Sequence, residues 1–166
     1  MTPRPRRGDP PLIEIADLLT ARSVVAQLRA ANKRQVLQEM ARRAAAATEL
    51  SDRRIYEVLS ERERLGSTGI GRGVAIPHGK LAELPRIYGM FGRLERPIPF
   101  EAIDGQPVDL VFVLLTPLDA GADHLTALSR VSRLLRDEAM CEKLRGASGP
   151  DALYALLTTP SESHAA

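Results

Sequence analysis

The segment RERLGSTGIGRGVAIPHGK, residues 62–80, is the most informative part of this 166-residue chain. Four glycines crowd positions 66–73, a density that predicts a turn or hairpin. The apolar run that follows, at 74–79, predicts a short buried strand with a histidine at its end. A glycine-rich turn followed by such a strand predicts a β-sheet with His78 at its edge.

Helices are predicted on both sides of this segment, because apolar residues recur there at helical spacing. Side chains that can cap a helix stand before several of these stretches. The predicted helices are 33–47, a second from Ser51 or Asp52 to Gly66, a third that Asp123 caps, a short one at 138–144, and a last one starting at Ser148 or Asp151.

Strands are predicted at 23–28, 88–94 and 109–116 in addition to the run at 74–79. The run at 109–116 is nearly all apolar, which suits a strand buried on both faces. Pro97 and Pro99 predict a connection that leads to a turn at 104–105. Helices in blocks around three to five strands indicate an α/β layer structure with a mixed sheet.

The composition is that of one domain with an aliphatic core. Hydrophobic residues make up 44% of the chain and aromatic residues only 4%. The net charge is +2 with both signs interspersed, which is not the pattern of a nucleic-acid binder. Within residues 1–11, Arg4, Arg6 and Arg7 alternate with Pro3 and Pro5, and this segment is predicted to be a disordered tail. Residues 159–166 predict a frayed tail, which leaves 12–158 as the folded domain.

A single cysteine, Cys141, excludes an intramolecular disulfide. With no secretory segment, this favours a reducing cytoplasm. The longest apolar run, Leu110 to Leu115, is far shorter than the roughly 20 residues that span a bilayer. We therefore expect a cytoplasmic protein with no membrane insertion.

His78 is the strongest candidate for chemistry. Pro77 restricts the backbone on one side of it, and Gly79 allows the chain to turn and removes bulk on the other. A neutral imidazole is a nitrogen nucleophile near pH 7, since its unperturbed pKa is about 6.5. Attack on a phosphoryl group would make His78 a covalent phosphoryl acceptor.

The surroundings of His78 are predicted to favour an anion. His124 follows the predicted cap Asp123, so it lies in the first turn of a helix, where free N–H groups and the helix dipole attract negative charge. Arg62 and Arg64, on the last turn of the preceding helix, offer guanidinium groups. The hydroxyls of Ser67 and Thr68 complete the candidate phosphate-binding residues.

Other chemistries stay open but have less support. Two histidines suggest a zinc pair only weakly, because no third ligand stands at a recognisable spacing. The glycines match neither a Walker loop nor the G-x-G-x-x-G pattern. A Ser-His-Asp hydrolase has the residue types but no G-x-S-x-G elbow. We expect no metal and no cofactor.

Three motifs carry a family resemblance. The segment 62–80 strongly resembles the active-site segment of enzyme IIA domains of the bacterial phosphotransferase system, in the mannitol/fructose class and its nitrogen-regulatory branch. The run IDGQPVDLVF at 103–112 resembles the second signature of that family, and HLTAL at 124–128 resembles the third. Order and spacing agree from about residue 12 to about residue 158.

The resemblance implies a fold and roles for three residues. The fold is α/β, a mixed β-sheet of about five strands flanked by helices on both faces in a single compact domain. His78 would accept phosphate on Nε2 from a phosphorylated HPr-like carrier, His124 would line the site and assist, and Arg62 would hold the phosphoryl group. Arg72 departs from the family pattern and is expected to add positive charge near the site.

The function that the resemblance implies is a phosphoryl carrier of the nitrogen-related system. Its phosphorylation state would regulate partners such as sensor kinases or potassium transport proteins. A sugar-specific fructose or mannitol enzyme IIA that passes phosphate to a IIB domain is the alternative. A binding module whose His78 is never phosphorylated, and more distantly a zinc hydrolase, remain as further hypotheses.

Overall fold

The computed structural model describes residues 13–159, so the predicted tail at 1–11 and nearly all of the tail at 159–166 lie outside the described residues. Six strands form one sheet: β1 Val24–Leu28, β2 Gly69–Gly71, β3 Val74–Ala75, β4 His78–Leu81, β5 Tyr88–Ile98 and β6 Val108–Pro117. The α-helices within 13–159 are α1 Ile15–Leu18, α2 Lys33–Thr48, α3 Asp52–Arg64, α4 Ala122–Arg136, α5 Glu138–Gly146 and α6 Pro150–Leu157.

The sheet is mixed, as the sequence predicts. Its strand order is β1-β5-β6-β3-β2, and β4 also pairs with β6. β5 and β6 are antiparallel, whereas β1 lies parallel to β5 and both β3 and β4 lie parallel to β6. Val74 is aligned with Leu110 and His78 with Leu114, so β4 continues along the edge of β6 where β3 ends.

β6 is the centre of the core. Its side chains from Val108 to Thr116 are buried, apart from a half-buried Asp109, and those from Leu110 to Leu115 alternate between two apolar clusters. One cluster packs against α2 and α3, and the other packs against α1, α4, α5 and α6. The prediction of a strand buried on both faces is confirmed, as are helices on both faces of a single domain.

Two strand predictions were wrong in detail. The run at 74–79 is split into β3 and β4, because the ring of Pro77 leaves no N–H for the ladder, while its carbonyl accepts from Leu114 N at 2.9 Å. Pro97 lies inside β5 and not in a connection. The pairing of β5 with β6 is irregular between Arg93 and Ile98, and proline is tolerated in strands at such irregularities.

Helix starts also differ from prediction at two places. Ser51 caps α3, as one of the two predictions had it, and its hydroxyl accepts from Arg54 N at 3.3 Å. α4 begins at Ala122 after Gly121, whose φ of 55° suits glycine, so Asp123 is inside the helix and is not its cap. α6 begins at Pro150, a favoured first position, which places the cap at Gly149 and not at Ser148 or Asp151.

Candidate functional site

His78 is the first residue of β4 and lies half-buried at the edge of the sheet. Its Nδ1 lies 2.8 Å from the carbonyl oxygen of Ile76. A carbonyl oxygen only accepts, so Nδ1 carries the proton and donates. The other ring nitrogen, Nε2, is then unprotonated in the neutral imidazole.

Arg62 supports the same tautomer from the other side of the ring. Its Nε donates to His78 Nε2 at 3.2 Å, and its Nη1 donates to the Gly66 carbonyl at 2.9 Å. A guanidinium only donates, so Nε2 must accept through its lone pair. Two independent partners therefore leave a nucleophilic lone pair on Nε2, next to a fixed positive charge.

Arg62 reaches His78 because α3 packs very close to β4. A Cβ atom at Gly79 would lie 2.2 Å from Val58 Cγ1, so only glycine permits this approach. Val58 and Arg62 are four residues apart and share one face of α3. The contact at Gly79 therefore places Arg62 above the neighbouring residue of β4, which is His78.

His124 brings a second imidazole to the same place. It lies in the first turn of α4, as predicted, and is 8% exposed. Its Nδ1 lies 2.7 Å from the hydroxyl of Thr116, near the end of β6. The ring centroids of His78 and His124 are 5.7 Å apart, and the rings are tilted by 52°.

The environment favours the neutral form of both rings. Burial is the main cause that lowers the pKa of His78; Arg62 lowers it further, while the hydrogen bond to Ile76 and the charge of Glu63 raise it. The pKa of His124 is also lowered, first by burial and then by His78 and Lys80. At neutral pH, the site therefore presents an uncharged nucleophile beside the Arg62 cation.

The other predicted phosphate ligands have different surroundings. The Ser67 hydroxyl donates to the Phe100 carbonyl at 2.9 Å. The buried Thr68 hydroxyl donates to Glu63. Arg64 is exposed and lies two residues after Arg62, so the two side chains do not share a face of α3. The structure thus brings together His78, His124 and Arg62.

Comparison with known proteins identifies the family. The model of the phosphoenolpyruvate-dependent sugar phosphotransferase system, EIIA 2, matches residues 17–159. The chain belongs to this EIIA family. The description of the family agrees with the resemblance carried by segment 62–80.

Several similar proteins are named nitrogen regulatory proteins. The chain is 52% identical over 146 residues to the nitrogen regulatory protein of Bradyrhizobium diazoefficiens, covering 88% of this chain and 95% of the relative. It is 40% identical over 156 residues to the nitrogen regulatory protein of Escherichia coli K12, covering 91% and 96%. The crystal structure of nitrogen regulatory protein IIA-Ntr from Neisseria meningitidis superposes with a TM-score of 0.83 at 35% identity, covering 87% of this chain and 99% of that one.

Arg72 does not lie near His78, contrary to expectation. It forms an ion pair with Glu138 of α5, and its carbonyl accepts from Arg145 Nη2 at 2.9 Å. Arg72 lies two residues before Val74, which is aligned with Leu110 on β6. His78 is aligned with Leu114, four residues further along β6. Four strand residues span roughly 13 Å, so Arg72 lies at the opposite end of the strand.

Two residues close to His78 and His124 were missed from sequence. Thr116 orients His124, but nothing near it in sequence indicates this contact, which depends on α4 folding back over β6. Glu63 stands between two arginines in a helix and resembles an ordinary solvated charge, yet it is buried. Among residues 13–159, no three His, Cys, Asp or Glu side chains are grouped to hold a metal ion, and no helix is long and apolar enough to cross a membrane.

Proposed function

We propose that this protein is a cytoplasmic phosphoryl carrier of the nitrogen-related phosphotransferase system, with His78 Nε2 as the phosphoryl acceptor. The observation that carries the proposal is the tautomer of His78. Ile76 holds the proton on Nδ1 and Arg62 faces the lone pair of Nε2. The nucleophilic nitrogen is thus defined and uncharged, and its lone pair becomes free for attack when Arg62 Nε turns away.

The transfer step follows from this geometry. The Nε2 lone pair attacks the phosphorus of a phosphohistidine on an HPr-like nitrogen phosphocarrier. The new N–P bond forms at His78 as the donor N–P bond breaks, and the donor imidazole leaves with the bonding pair. The Nδ1 proton stays on His78, where the Ile76 carbonyl stabilises the positive charge that the phosphorylated ring acquires.

Keeping that proton also prepares onward transfer. When a later acceptor attacks the phosphorus, His78 leaves as neutral imidazole, which is a better leaving group than an imidazolate anion. The same hydrogen bond at 2.8 Å therefore assists both loading and unloading. This behaviour suits a carrier more than a protein that holds its phosphate permanently.

Arg62 and His124 would stabilise the transferred group. A phosphoryl group on Nε2 takes the place that Arg62 Nε now occupies, so the guanidinium turns from the lone pair to the phosphoryl oxygens. His124 lies across the gap, within 5.7 Å between ring centroids, with its Nε2 free of the Thr116 contact. Ser67 and Thr68 would support the loop beneath the site, and Arg64 would add positive charge at its rim.

The regulatory output is part of the proposal. The relatives in Bradyrhizobium diazoefficiens and Escherichia coli are named nitrogen regulatory proteins. Phosphorylation adds nearly two negative charges at pH 7. Partners such as sensor kinases or potassium transport proteins would recognise the charge on this rim.

The second candidate function is that of a sugar-specific enzyme IIA which passes phosphate to a IIB domain. The observation that favours it is the family description, which names a sugar phosphotransferase system. Rapid transfer from the labelled protein to a fructose or mannitol IIB domain would establish it. Absence of transfer to these domains, together with phosphorylation-dependent capture of a regulatory partner, would favour the nitrogen-related carrier.

The deciding experiment is incubation with purified upstream proteins and radiolabelled phosphoenolpyruvate. We expect acid-labile, base-stable label on the wild-type chain and none on His78→Ala. His124→Ala is the matched control, because it also removes one imidazole but keeps the acceptor, so it should be labelled more slowly. Label that persists on His78→Ala would contradict the proposal.

A further inference from the structure

Glu63 is a buried carboxylate directly beside the His78 site. Its side chain is 5% exposed, although it lies in the last turn of α3 among solvated charges. A carboxylate is seldom buried unless donors surround it. Its neighbours therefore indicate what it does.

All the partners of Glu63 are donors from two other segments. The Thr68 backbone N–H faces both carboxylate oxygens at 3.2 Å, and the Thr68 hydroxyl donates as well. Lys33 Nζ, at the start of α2, lies 2.7 Å away. These contacts suit the ionised carboxylate, which only accepts hydrogen bonds.

Phe100 contacts both Lys33 and Ser67. Lys33 Nζ lies 4.9 Å from the centre of its ring, and the Phe100 carbonyl accepts from the Ser67 hydroxyl. Glu63 thus links the start of α2, the end of α3 and the loop at 66–68. That loop carries the Gly66 carbonyl, which holds one arm of Arg62.

The position of Arg62 depends on this link. Arg62 and Glu63 are consecutive residues, with one side chain directed to His78 and the other to the buried cluster. If the last turn of α3 moved, Arg62 would lose both the Gly66 carbonyl and His78 Nε2. The charge of Glu63 also reaches His78, whose pKa it raises.

We propose that Glu63 is a positioning residue of the His78 site. Through its contacts with Thr68 and Lys33, Glu63 holds Arg62 over His78 Nε2. Its negative charge also favours the cationic His78 ring of the phosphorylated state. This inference rests on the proposed function. Glu63 touches neither the phosphoryl group nor the His78 ring, so it acts through the position of Arg62 and through the electrostatic effect of its own charge.

The electrostatic effect of Glu63 on His78 must be separated from that of the other groups that face the two histidine rings. Together with Glu63, they are Arg62 from α3, His124 from α4, and Lys80 on β4 itself, the last facing His124. Glu63 is the one carboxylate among them, while the paired Lys33 is not among the charges acting on His78. Loss of the Glu63 charge lowers the pKa of His78, whereas displacement of Arg62 raises it. A displacement of about 1 Å leaves the Arg62 cation beside the ring, so the complete loss of the Glu63 charge decides the direction.

The test compares three variants with the wild type. Glu63→Gln keeps the shape and loses the charge. Glu61→Gln, on the exposed face of the same helix, is the matched control. The double variant Lys33→Met/Glu63→Gln removes the cation that the single change leaves unpaired, so it guards against a simple loss of stability. For each, we would measure the melting temperature, the rate of phosphotransfer from the donor and the pKa of His78 by NMR.

We expect Glu63→Gln to transfer phosphate at least about tenfold more slowly, because small misplacements are costly in such sites. The pKa of His78 should fall below its wild-type value, whereas Glu61→Gln should match the wild type in both respects. The double variant should regain melting temperature but keep the slow rate and the lower pKa. Wild-type rate and pKa in Glu63→Gln, or their recovery in the double variant along with stability, would overturn the inference. Absence of label on the wild type would instead refute the proposed function, and the NMR titration of His78 would still test Glu63.

Discussion

The close approach of α3 to β4 can be tested with one methyl group, through Gly79→Ala. The added Cβ would lie 2.2 Å from Val58 Cγ1, whereas ordinary contact begins at 3.4 Å. A valine in a helix has a stiff χ1, so the side chain cannot rotate away at little cost. The helix itself must therefore move by about 1.2 Å to relieve the overlap.

This shift has two consequences of known size. Overpacking of this kind lowers the free energy of unfolding by about 1–3 kcal/mol. The Arg62 Nε to His78 Nε2 distance, now 3.2 Å, would exceed hydrogen-bond range if Arg62 moved with the helix. A misplacement of about 1 Å can cost a hundredfold in rate, so we expect phosphotransfer to fall by roughly 10- to 100-fold.

Urea unfolding and the rate of labelling from the phosphodonor are the assays. The control is the double variant Val58→Ala/Gly79→Ala, in which the overlapping methyl group is gone. It should recover most of the rate and show a favourable coupling energy of about 0.5–3 kcal/mol relative to the sum of the single changes. A Gly79→Ala protein with wild-type stability and rate would refute the argument that this contact positions Arg62.

Three further outcomes are expected from the same geometry. Arg62→Lys keeps the charge but cannot span both Gly66 and His78, so the rate of phosphotransfer should fall by roughly 10- to 150-fold. This corresponds to about 1.5–3 kcal/mol for a hydrogen bond to a charged group. An unchanged rate in the labelling assay would remove Arg62 from the site. Thr116→Val leaves the Nδ1 of the buried His124 without its partner, so urea titration should show a loss of about 1–3 kcal/mol, and wild-type stability would contradict the contact. Folding lowers the pKa values of His78 and His124, so the unfolded chain binds more protons than the folded chain between the lowered pKa values and about pH 6.5. The free energy of unfolding should therefore rise with pH up to about 6.5 and then level off. The slope should be weaker in His78→Ala.

The sequence predicts the elements whose patterns depend on burial. The apolar run of β6 and the helical spacing in α2 and α3 are sufficient, because each element buries the same side chains that form the pattern. Pro97 misled the prediction, since a proline argues against a strand unless the pairing is irregular at that point. That irregularity depends on β6, not on the residues around Pro97.

The candidate site likewise contains residues that the local sequence predicts and residues that it does not. The residue type, flanking proline and glycine at His78, and the helix start at His124, were enough to select both histidines. Arg72 was misplaced because closeness in sequence does not mean closeness across the β2–β3 hairpin. Glu63 was missed because its burial depends on Lys33, which lies 30 residues earlier in the chain.

The central claim is that Nδ1 of His78 keeps its proton while Nε2 takes the phosphoryl group. Long-range proton–nitrogen NMR of the ring before and after phosphorylation tests this directly. We predict a neutral ring protonated on Nδ1 at first, and a nitrogen–phosphorus coupling at Nε2 afterwards. A coupling at Nδ1, or an unchanged His78 ring in a protein that carries one phosphate, would contradict the account.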